Sequence, residues 1–60
     1  MQLRKLQIFA EQYGYHVEKV GRIYQWWNDR DHSIIGECKT IRECYSEISS
    51  DILSKVEVIV

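Results

Sequence analysis

Cys38, Cys44, His16 and His32 are the side chains that could carry metal or nucleophilic chemistry in this chain. Thiolates and imidazoles are the preferred ligands of zinc, but structural sites usually bring them in close pairs such as Cys-x2-Cys. Here the cysteines stand six positions apart, with His16 in an expected strand and His32 in an expected turn. Both cysteines read better as small buried hydrophobes, with a disulfide between them as the alternative. Cys44 falls in the first turn of an expected helix, where the dipole can lower a thiol pKa. No histidine lies near it in sequence to serve as a base. Asp29-x-Asp31-x-Ser33 begins like a calcium loop but lacks the turn glycine and the distant glutamate. No Gly-rich phosphate loop, nucleophile elbow or HExxH helix occurs. The expectation is a chain with no catalytic residue, no metal site and no cofactor, and hence not an enzyme.

The elements that would hold these residues follow from periodicity. Leu3, Leu6, Phe9, Ala10 and Tyr13 form one helical stripe, and Gly14 can end the helix in a left-handed conformation. Residues Tyr15–Val20 alternate, Gly21-Arg22 suits a tight hairpin turn, and Ile23-Tyr24-Gln25-Trp26-Trp27 has the β-branched and aromatic make-up of a strand. A polar turn over residues 28–33 leads to a third strand over 34–39, with Gly36 marking a bulge or a close packing contact. Thr40-Ile41-Arg42-Glu43 matches a capping box, and Ile41, Cys44, Tyr45, Ile48 and Ile52 make the stripe of a second helix. Ser49-Ser50 either ends that helix or is passed on the way to about Ser54. Glu43, Glu47 and Asp51 form an acidic ridge, read as a solvated helix face with Asp51 and Lys55 paired at i,i+4. Residues 55–60 read as a fourth strand, added to a sheet edge or to another chain. The fold class is α+β, in the order α-β-β-β-α, with a three-stranded antiparallel meander, two helices on one face and a C-terminal fourth strand.

Consecutive strand residues point to opposite faces, so Trp26 and Trp27 cannot both enter the core. Counting back from the hairpin turn places Val20 opposite Ile23, Val17 opposite Trp26 and His16 opposite Trp27. Tyr15, Val17, Tyr24 and Trp26 then share the helix-covered face. His16, Val20, Ile23, Gln25, Trp27 and Ile34 share the open one. An open face this apolar marks a contact site. The expected partner-binding residues are Trp27, Ile23, Ile34, His16 and Gln25; the competing reading is internal cover by the C-terminal strand. A terminal apolar strand is an exposed pairing template. Val56, Val58 and Val60 are accordingly expected to close on their own sheet or to pair across a two-fold axis in a homodimer.

Sixty residues make one domain, and at 45% apolar and 12% aromatic it is globular rather than disordered. No apolar run approaches the roughly 20 residues needed to cross a bilayer. Two cysteines without a leader-like segment point to a reducing compartment, so the expected location is cytoplasmic. The eight basic residues are scattered and the net charge is −1, which argues against strong phosphate binding.

The α-β-β-β-α order over residues 2–53 is similar, in topology, to the double-stranded RNA-binding domain. That resemblance implies a lysine cluster at the start of the second helix, where this chain has Thr40, Ile41, Arg42 and Glu43. A three-stranded sheet followed by a helix also resembles phage integrase arm-binding domains. Their sheet face is polar and basic, whereas this one carries Trp27, Ile23 and Glu18. In size and make-up the chain is similar to short accessory proteins of bacteriophages. The leading expectation is a small non-catalytic protein-interaction module, a phage-type inhibitor or regulator that occludes a partner protein as a homodimer. The alternative is a nucleic-acid-binding regulator using the open sheet face with Arg22, Arg30 and Lys39.

Overall fold

A computed structural model describes residues 1–30 and 33–55 of the chain. Leu6 and Ala10, four apart and therefore on one helical face, are both completely buried and draw the first segment into helix α1, Leu3–Gln12. The helix closes with the Gly14 N–H donating to the Glu11 carbonyl at 3.1 Å, and Gly14 turns the chain at φ +80°. Strands β1 (Tyr15–Val20) and β2 (Ile23–Asn28) then pair antiparallel across Gly21, whose φ of +65° a side chain would strain. Val20 faces Ile23, Val17 faces Trp26 and His16 faces Trp27, the register that the hairpin turn dictates.

The third strand is shorter than the sequence suggests. β3 spans Gly36–Cys38, with Ile34 and Ile35 ahead of it. Ile35 N–H donates to the Trp26 carbonyl at 3.0 Å, while Gly36 is the ladder partner of Trp26. Two successive residues thus address one residue of β2, as in a β-bulge, and regular pairing ends there. Gly36 is also a packing requirement, because the Trp26 indole lies against its α-carbon. The sheet order is β1-β2-β3.

Helix α2, Ile41–Lys55, starts at a capping box in which the Glu43 N–H donates to Thr40 Oγ1 at 3.1 Å. The Glu43 carboxylate accepts from the Lys39 N–H, also at 3.1 Å. Ser49 and Ser50 do not end the helix, because Ile48 and Ile52 on either side of them are anchored in or against the core. Both helices lie on the same sheet face, and the core is Leu6, Ala10, Tyr15, Val17, Trp26, Cys38, Cys44 and Ile48. The fold is α+β in the expected order; the anticipated fourth strand falls on residues outside those described. Among the described residues no helix is long and apolar enough to cross a membrane.

A methyl group at Gly36 would sit 2.6 Å from Cε2 and 2.9 Å from Cζ2 of Trp26, and nearer still to Nε1. Gly36→Ala is expected to lower stability by about 1–3 kcal/mol through this overpacking. The check is a urea unfolding midpoint that falls with an unchanged slope.

Candidate functional site

The sheet face turned away from the helices is built from three cross-strand rows. His16 pairs with Trp27; Glu18 pairs with Gln25, which pairs in turn with Glu37; and Val20 pairs with Ile23. No helix or strand among the described residues lies over these rows. Trp27, Ile23, His16 and Gln25 are half-buried, whereas Val20 is 45% and Ile34 54% exposed. The structure therefore brings four of the five expected partner-binding residues onto one surface. Ile34 lies in the segment ahead of β3. Val56, Val58 and Val60, expected to mediate dimerisation, and His32 lie outside the described residues.

Trp27 is held rather than loose. The His16 ring stacks on its indole, with centroids 5.7 Å apart and planes at 30°, and His16 Nε2 is hydrogen-bonded to the Asp29 carboxylate. Gln25 donates to Glu37 Oε1 at 3.4 Å across the neighbouring row. A large amphipathic ring fixed in this way meets a partner with little further loss of rotamer freedom.

On the opposite side, the acidic ridge of α2 is exposed at Glu43 and Glu47, as its spacing suggests, but it is also hydrogen-bonded to the sheet. Glu47 receives the Trp26 Nε1–H at 3.2 Å on one oxygen and the Cys38 thiol at 3.3 Å on the other. Asp51 accepts from the Tyr15 hydroxyl and pairs with Lys55 at 3.2 Å, as its i,i+4 spacing anticipates. Lys55 Nζ donates to the same Tyr15 hydroxyl at 3.1 Å. A helix advances about 6 Å in four residues and strands lie about 4.8 Å apart, so acids at i, i+4 and i+8 reach successive strands. Glu43 serves the end of β3, Glu47 serves β3 and β2, and Asp51 serves β1. Sequence periodicity misses this role; a ridge lying beside the buried stripe, instead of opposite it, is the signal that could have revealed it.

Cys38 and Cys44 are buried, free thiols with no disulfide between them. Burial pushes both pKa values up, and the carboxylate of Glu47 adds to the effect. A thiol that resists ionisation is a poor nucleophile. Tyr15 is likewise raised by burial and by Asp51. Hydrogen bonding from Tyr15 and the charge on Lys55 hold Asp51 low. Among the described residues no group of three or more His, Cys, Asp or Glu is placed to hold a metal ion. A hollow of about 320 Å³ lies between Tyr13, Tyr15, Asn28, Arg30, Ile52 and Lys55, and the Lys55 charge in it is already matched by Asp51. No family model matches the chain, and neither does any curated protein or solved structure.

The raised thiols and Tyr15 keep their protons in the folded state at a pH where the unfolded chain loses them. Their stabilising effect is therefore fully present below about pH 8 and is lost as pH rises past the ordinary thiol pKa of about 8.5. Asp51 acts in the opposite direction, and its contribution disappears as pH falls below about 4. Urea midpoints are expected to be level around neutrality and to decline between pH 8 and pH 10. Cys38→Ala/Cys44→Ala should flatten the alkaline decline, and Asp51→Asn should flatten the acid one.

Proposed function

We propose that the chain is a non-catalytic protein-interaction module that binds a partner protein through the open sheet face and acts by occluding the surface it covers. The observation that carries this reading is the ordered Trp27 indole, set between His16 and the Gln25 row on a face without cover among the described residues. Large apolar side chains on a solvent-facing sheet are accounted for most simply by a partner. Interface anchors are enriched in tryptophan, and neighbouring lesser contacts such as Ile23 and Val20 serve to exclude water around the anchor. The raised pKa values of both thiols favour a binding role over a nucleophilic one.

The nucleic-acid alternative relies on Arg22 in the hairpin turn, Arg30 after β2 and Lys39 after β3, whereas the paired strand residues of this face include two carboxylates. Lys19 points to the other side, with Nζ 5.9 Å from the centre of the Tyr24 ring. Glu18 and Glu37 occupy the middle of the open face. A surface of that sign repels phosphate.

Truncation of an interface anchor typically costs about 2 kcal/mol or more, roughly a 30-fold loss of affinity. Affinity capture with the wild-type chain is expected to enrich a partner that Trp27→Ala loses, while circular dichroism and urea unfolding show Trp27→Ala to be folded. Equal capture by both chains, or salt-sensitive retention of the wild type on DNA or RNA, would overturn the reading.

A further inference from the structure

We infer that the occupant of the open face is a basic surface of a foreign protein, presenting an arginine or lysine flanked by apolar side chains, and not a second copy of this chain. The inference rests on the reading that this face binds protein, and it names the chemistry of the partner. Its basis is the order of the rows. His16 and Trp27 form the first, Glu18, Gln25 and Glu37 the second, and Val20 and Ile23 the third. Side chains two apart on a strand are separated by about 7 Å, and those on alternate strands by about 10 Å. Two glutamate positions thus stand about 10 Å apart across the middle of the sheet, with the His16–Trp27 row about 7 Å to one side and the Val20–Ile23 row about 7 Å to the other.

Among the described residues no cation forms an ion pair with these carboxylates. Lys55 pairs with Asp51 and His16 is hydrogen-bonded to Asp29, and neither contact involves Glu18 or Glu37. Lys19 is on the far face over Tyr24, Arg22 is in the hairpin turn and Lys39 follows β3. Gln25 donates to Glu37, which directs one polar group of the row but leaves both charges in place. A guanidinium or ammonium seated over Gln25 would meet both carboxylates while its apolar neighbours cover Trp27 on one side and Ile23 on the other. An extended partner segment reading apolar-x-basic-x-apolar has the same spacing of about 7 Å between alternate side chains.

The same arrangement speaks against self-pairing through this face. A two-fold axis over the sheet would set the Glu18–Gln25–Glu37 row of one copy near the same row of the other. Like charges brought together under an interface cost several kcal/mol. A basic partner gains from them both in specificity and in the rate of encounter.

The test uses the full isotope-labelled chain and two capped heptapeptides, Thr-Val-Thr-Arg-Thr-Val-Thr and its counterpart with glutamate for arginine. Amide and indole chemical shifts follow each titration. The arginine peptide is expected to move the signals of Glu18, Gln25, Glu37 and the Trp27 indole, and the glutamate peptide to leave them unmoved. Neutralising both carboxylates in Glu18→Gln/Glu37→Gln, at exposed positions that the core does not use, should weaken the arginine peptide at least tenfold. Shifts that map elsewhere, equal binding of the two peptides, an unaffected double variant, or wild-type self-association through this face would each overturn the inference. The two proposals fail separately. If partner capture is lost in Trp27→Ala but kept in the double variant, the protein-binding reading stands and the basic occupant falls; if it is kept in both, both fall.

Discussion

The Trp26 side chain joins three elements that are distant in sequence. Its ring packs against the Tyr15 ring at 5.9 Å between centroids, covers Gly36 of β3 and donates its Nε1–H to Glu47 of α2. With Trp26 committed to the core, strand alternation leaves the next indole no choice but the opposite face. The distinctive surface feature of the molecule is therefore a consequence of its central packing contact. β3 depends on the same contact, since a strand of only three residues has little ladder of its own and gains its place from Gly36 lying under the ring.

A chain of this size has a small apolar core and relies on polar fastenings to complete it. Here they come from a single ridge of acids on α2, each of which reaches a different part of the sheet. Hydrogen bonds to charged acceptors are stronger than neutral ones, and these are concentrated where helix and sheet meet. The free edge of β1 is treated in a similar way. Asp29 N–H donates to the Gly14 carbonyl at 2.9 Å, which extends the alternating ladder and turns the Val17 carbonyl outward. Gln7 of α1 donates to that carbonyl at 3.0 Å, so the edge offers less to a stray strand. Inter-element fastening on one side leaves the other sheet face free to be specialised by its own residues.

That other face combines features that are seldom useful together in an isolated molecule. An indole stacked on an imidazole, two carboxylates without an ion-pair partner among the described residues and a β-branched pair occupy adjacent rows. Each is tolerable in water, and together they have the apolar and charged elements that a complementary protein surface would use.

Local chemistry made much of this legible. The helix stripes, Gly14 and Gly21 at positive φ, the Thr40–Glu43 box and the hairpin register all depend on residues within a few positions of each other, where backbone sterics and alternation decide the outcome. The division of Trp26 from Trp27 follows from the same short-range rule. Contacts between residues 21 and 36 positions apart, Trp26 with Glu47 and Tyr15 with Asp51, were not legible. Their formation depends on the angle and height at which α2 crosses the strands, and that is settled by how Leu6, Cys44 and Ile48 pack together. Tertiary packing likewise shortened β3 and gave the exposed acidic ridge its hydrogen bonds to the sheet. Periodicity specifies which face of an element is buried, but only the assembled core fixes what each flanking polar group will touch.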